Sequence, residues 1–138
     1  MKRLLWALWL ALLLSSTVQA GDPTGVTVAV LAKTSSSWDG TSLPTYPNNR
    51  PEITILRITI PAGTALPLHQ HPVINAGVLL SGELTVMTED DRTLHLKAGD
   101  PIVEVVNKWH YGMNTGNGPA VILVFYAGAL DTPITIEK

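Results

Sequence analysis

Short runs of β-branched and apolar residues, separated by turn-forming residues, follow one another along most of the chain. Residues 26–30 (Val-Thr-Val-Ala-Val) alternate as a first strand, and residues 35–51, rich in Ser, Pro, Asn and Gly, read as a long loop. Residues 53–60 form a β-branched run that Pro61-Ala62-Gly63 stops. Residues 76–80 predict another strand, turned by Ser81-Gly82 into an alternation of Leu84, Val86 and Thr88. Leu94 and Leu96 follow the Glu89-Asp90-Asp91 turn, and Lys97-Ala98-Gly99-Asp100 turns the chain again. Residues 102–106 and 110–114 precede a Gly116-Asn117-Gly118-Pro119 turn. Residues 120–127 are apolar at every position, which predicts a strand covered on both faces. With no heptad, repeat or low-complexity tract, the pattern predicts an all-β domain of two sheets closed as a jelly-roll barrel.

The first twenty residues belong to a different pattern. Lys2-Arg3 gives a positive start, residues 4–14 are unbroken apolar, and Val18-Gln19-Ala20 ends in small residues. That order describes a secretory signal peptide. The apolar run is too short to span a membrane, which takes roughly 18 residues or more. Residues 1–20 are therefore expected to be a signal peptide and residues 21–138 the barrel domain, periplasmic or secreted. Removing residues 1–20 leaves seven basic and eleven acidic residues, a net charge of −4. A mildly acidic domain with no basic cluster has no footprint for nucleic acid or for an anionic membrane. The chain has no cysteine, so any metal chemistry must use nitrogen and oxygen ligands.

Four histidines supply those ligands. His69 and His71 are two apart on a segment that reads as a strand, so both rings point to one face. His95, between Leu94 and Leu96, points opposite to two core residues and reads as solvated. Gly63, His69, His71, Asn75 and Gly82 have the spacing of Gly-x5-His-x-His-x3-Asn-x6-Gly. Gly99, Val105, Asn107, His110 and Asn114 have the spacing of Gly-x5-Val-x-Asn-x2-His-x3-Asn. This resembles the two motifs of the cupin superfamily over roughly residues 52–126. The first motif has Glu where Asn75 stands, and the second has Pro and Gly where Val105 and Asn107 stand.

The resemblance implies a double-stranded β-helix whose two motifs line one cavity. It implies one divalent transition metal ion (Fe, Ni, Zn, Cu or Mn) held by His69, His71 and His110, with Asn75 offering a neutral oxygen or none. Three imidazoles and an amide would leave the ion's charge uncompensated and its open positions attractive to a small oxygen-rich anionic or enolic molecule. Two functions stay open: a metal-dependent enzyme such as a dioxygenase, and a non-catalytic small-molecule binding or sensing protein. Glu104 is the carboxylate nearest His110 in the second motif and is a candidate acid or base. Trp109 and Tyr111 flank His110 and should point away from it; Asn114 should brace a turn. Trp38 and Tyr46 lie in the long loop, as barrel caps or surface packing. Apolar residues on both faces of 121–126, and strand edges that need cover, predict a homodimer.

Overall fold

The structure, a computed structural model, describes residues 25–138. The expected signal peptide lies outside the described residues. Nine strands form among the described residues: β1 (Pro51–Ile60), β2 (His69–Gln70), β3 (Ile74–Ser81), β4 (Glu83–Thr88), β5 (Thr93–Lys97), β6 (Pro101–Val103), β7 (His110–Met113), β8 (Ala120–Ala129) and β9 (Ile136–Glu137). They pair as one sheet of order β1-β8-β3-β6 and a second of order β5-β4-β7-β2-β9. All strand pairs are antiparallel, so the all-β double-sheet barrel predicted by the pattern is the fold.

The period-2 alternation of strands decides what faces inward. Leu56, Ile58 and Ile60 of β1, Leu79 of β3, and Ile122 and Val124 of β8 meet Leu84 and Val86 of β4 in one core. The other face of β8 is less covered than its composition predicts. Phe125 is 45% exposed, and Ile53 and Ile55 on the neighbouring β1 are exposed as well. Ile55 pairs with Phe125, and Phe125 with Ala76, so these residues share the outer surface of the first sheet. Residues 26–30 also depart from expectation: they form no strand, and Val26, Val28 and Val30 are exposed. Alternation alone does not supply a partner, and among the described residues no strand of either sheet pairs with this segment.

Both motifs owe much of their spacing to turns. Gly82 has φ +79°, and a Cβ there would lie 2.7 Å from the Pro119 carbonyl oxygen, so only glycine closes the β3–β4 turn against that loop. Asn107, standing where the second motif has glycine, has φ +53°. Asparagine is among the few side chains that visit this left-handed region readily, which explains the exchange. Asn114 is fully buried and braces the β7–β8 turn as expected. Its Nδ2 donates to the carbonyls of Ile60 and Gly118 at 2.9 and 2.8 Å, and its Oδ1 accepts from Gly116 N–H at 2.9 Å.

Asn114→Ala removes all three bonds, stranding the buried Ile60 carbonyl at about 1–3 kcal/mol and losing the bonds to the more exposed Gly116 and Gly118 at about 1 kcal/mol each. The variant should lose roughly 3 kcal/mol or more and melt about 10 °C lower by circular dichroism. A shift below about 2 °C would show that the turn holds without this side chain.

Candidate metal centre

The ladder itself brings the two motifs together. His69 of β2 pairs directly with His110 of β7, and His71 follows His69 by two residues in a parallel bridge to Val106. The ring centroids of His69, His71 and His110 lie 4.5–5.0 Å apart. One ring nitrogen from each lies within 4.8 Å of the other two. His95 is elsewhere, exposed on β5, with Nδ1 3.0 Å from the Thr85 hydroxyl.

Each ring of the trio is held from behind. Nδ1 of His69 is 2.7 Å from the Pro67 carbonyl oxygen, that of His71 is 2.8 Å from Ile134, and that of His110 is 2.8 Å from Lys108. A carbonyl only accepts, so each Nδ1 carries the hydrogen and each Nε2 presents a lone pair to the cavity. Nε2 of His110 is buried without a hydrogen-bond partner. Burial, with the neighbouring imidazoles adding to it, lowers the His71 pKa to about 4. Burial likewise lowers those of His69 and His110, so all three rings are neutral at physiological pH, the form a metal requires.

The supports come from distant parts of the chain. Residues 134–137 wall one side: Ile134 orients His71, Thr135 Oγ1 stands 3.3 Å from the same nitrogen, and Glu137 pairs with His69 in the β9–β2 ladder. Lys108, whose carbonyl orients His110, joins its ammonium to Asp39 and Asp90, both at 2.8 Å, and so ties the 35–50 loop to the segment leading into β7.

Asn75 and Glu104 complete the polar lining. Asn75 is buried, its Oδ1 has no partner, and its Nδ2 turns back to the Val73 carbonyl at 3.5 Å. Glu104 lies just beyond β6, its amide donating to the Asn75 carbonyl at 3.1 Å, and its side chain enters the cavity. Its Oε2 is 3.7 Å from Nε2 of His110, and that oxygen too is buried and unpartnered. The cavity thus contains a carboxyl group in addition to the asparagine of the first motif. Burial pushes the Glu104 pKa up to about 7, against the pull of His69 and the Trp38 indole. That indole N–H is buried beside it without completing a hydrogen bond.

Tyr126 was missed by sequence reasoning. It is buried on β8 opposite Asn75, with its ring 5.4 Å from that of His71, and burial followed by Glu104 raises its pKa to about 12. Its parity with Ile122 and Val124 was the available signal. Trp109 and Tyr111 lie outside the cavity; Tyr111 donates to Met87 Sδ at 3.4 Å, and Lys138 stands 5.6 Å over the Trp109 ring. Trp38 packs against the core near Glu104, whereas Tyr46 is exposed.

An antiparallel barrel of two sheets with three convergent imidazoles in its cavity defines a recognisable class of protein. A model of the Cupin domain matches residues 56–126, just over half of the chain, and the chain belongs to the cupin family. Germin-like protein 8-14 of Oryza sativa subsp. japonica is 29% identical over 124 residues, covering 82% of this chain and 58% of the relative. The structure of DMSP lyase DddQ from Ruegeria pomeroyi DSS-3 superposes with a TM-score of 0.53 at 26% identity, covering 62% of this chain and 43% of the lyase. The chain therefore spans less than two thirds of either protein. A conserved protein with a double-stranded beta-helix domain from Klebsiella pneumoniae is nearer in size. It superposes with a TM-score of 0.54 over 68% of this chain and 90% of its own, at 22% identity, a likeness of fold.

The buried carboxyl generates a pH prediction. Glu104 ionises near its ordinary value of 4.5 when unfolded and about 7 when folded, so stability falls as pH rises through that window. In metal-free protein, Glu104→Gln should gain on the order of 3 kcal/mol relative to the parent at pH 8, and little at pH 4. Thermal melts in EDTA measure this, and an equal difference at both pH values would mean that the carboxyl ionises as in water.

Proposed function

We propose that this cupin holds one divalent transition metal ion on His69, His71 and His110 and acts as a dioxygenase on a small anionic or enolic molecule bound beside it. The observation that carries the reading is the commitment of all three Nδ1–H groups to backbone carbonyls, which aims three neutral Nε2 lone pairs at a common point. Fe, Ni, Cu, Zn and Mn all accept such a donor set. Bound there, the ion supplies Lewis acidity that draws in and polarises an oxygen donor. Three protein ligands leave positions open for that donor.

The chain's own residues shape what can enter. The cavity measures about 210 Å³, with Leu84, Val86, Ile122 and Val124 among its apolar walls. That is below the roughly 300–1,000 Å³ of sites for drug-sized ligands, so a short carboxylic acid, a diketone or a single-ring catechol fits better than a three-ring flavonol. Asn75 Oδ1 offers a neutral oxygen to the ion or to its bound water. Tyr126, its pKa near 12, remains a phenol at any ordinary pH and keeps a proton to donate to a substrate oxygen.

Purified protein should take up about one Fe, Ni, Cu, Zn or Mn ion per chain. Alanine at His69, His71 or His110 should weaken this at least 100-fold, and His95→Ala should leave it unchanged. Oxygen electrodes should show uptake with diketones or catechols that disappears in His110→Ala. Tight binding of these compounds without turnover in any metal form would instead make the protein a binding or sensing cupin.

We also propose export, on the residue pattern of 1–20, and pairing of two copies through the outer face that carries Ile53, Ile55 and Phe125. Protein from a periplasmic extract should begin at Gly21 and scatter light as a dimer. An intact Met1 would sink the first proposal and a monomer mass at all concentrations the second.

A further inference from the structure

We propose that Glu104 is the carboxylate ligand of this metal centre, delivered from the strand beside the one on which the cupin motif carries its glutamate. The inference rests on the three-histidine reading above and adds a fourth donor that neither motif assigns.

Two geometric facts point to it. The first is a pair of orphans. Oε2 of Glu104 and Nε2 of His110 are both buried, both lack a hydrogen-bond partner, and face each other at 3.7 Å. That distance is too long for a hydrogen bond. It is close to the separation of two ligands on one ion: donors at about 2.1 Å from a metal lie roughly 3–3.5 Å apart. Glu104 stands outside the set of three ring nitrogens that already lie within 4.8 Å of one another, so its carboxyl must move inward to share a cation with them, which would satisfy both orphaned atoms at once. Left without a cation, the carboxyl must either stay protonated or stand as a buried charge beside unpaired imidazole lone pairs, and the latter is the costly state.

The second fact is position. Ala76 of β3 pairs with Val103 of β6, so the next residues outward on the two strands are Asn75 and Glu104, and the Glu104 amide bonds the Asn75 carbonyl at 3.1 Å. Cross-strand neighbours project to the same face, and both side chains line the cavity. A carboxylate lost from residue 75 has thus reappeared one strand over. The longer reach of glutamate suits its starting point just past the strand end. A centre built this way carries three neutral donors and one anionic donor. Its net charge is +1, so it favours monoanionic or enolate ligands over dianions.

The test uses the full exported chain and cobalt(II) as the probe, read by calorimetric titration and by the visible d–d spectrum of the bound ion. Glu104→Gln should weaken cobalt binding at least tenfold and shift the spectrum. Adding Asn75→Glu to that variant should return affinity to within a few-fold of the parent, because the carboxylate re-enters from the adjacent strand. If Glu104→Gln does not fold, Glu104→Asp, one methylene shorter, should still alter the spectrum. A parent protein that binds cobalt, with affinity and spectrum unchanged in Glu104→Gln or Glu104→Asp, overturns the assignment of Glu104 and leaves the histidines standing. A parent that binds no cobalt, or a His69→Ala variant that binds it as well as the parent, overturns the three-histidine reading and this inference with it.

Discussion

Three imidazole rings sit tilted against one another in an apolar barrel because each makes its hydrogen bond backwards, to a backbone carbonyl. Everything distinctive about the cavity depends on that constraint. A neutral imidazole has one hydrogen and one lone pair, so fixing the hydrogen at Nδ1 fixes where the lone pair points. Burial strengthens the effect by suppressing the charged form that would carry hydrogens on both nitrogens. The site is thus pre-organised by main-chain geometry, and the cost of bringing three lone pairs together is met when the barrel folds.

The barrel makes such geometry available cheaply. Residues paired across a ladder are locked in register, so His69 and His110 meet although they come from different motifs. The same rule places Tyr126 opposite Asn75, and Glu104 beyond the end of the neighbouring pair. Stability and chemistry use the inner face of these strands differently. Toward β8 the face is closed by Ile122 and Val124, while near β2 and β7 it is polar and has buried atoms left unpaired. Such unpaired atoms are where a fold departs from its own stability optimum, and they mark the end of the barrel where function is built.

Much of this was legible in the residues. The turn signals separated the strands, His-x-His on a strand put two rings on one face, and the isolation of His95 between two leucines removed it from the site. What escaped was set by pairing between distant segments. Glu104 lies one residue past β6, and its facing of the cavity follows from its place across from Asn75 of β3, a pairing that the local sequence does not reveal. Ile134 contributes only a carbonyl, so its identity carries no signal at all. Residues 26–30 alternate as a strand should, yet a strand also needs a partner to pair with, and that requirement is invisible locally. The apolar run of β8 misled for a related reason: its outer face is half open because the first sheet has no further layer over it among the described residues.

The wall formed by residues 134–137 has a temporal consequence. The carbonyl that orients His71 lies 63 residues after it in the chain. At a synthesis rate of about 5–20 residues per second, His71 exists for several seconds before that carbonyl is made. A nascent chain emerging N-terminus first therefore displays the His69–His71 pair with one ring unanchored and β2 lacking its β9 neighbour. Metal capture with the geometry described here is a property of the finished barrel, so loading must follow chain completion on whichever side of a membrane the chain is then found.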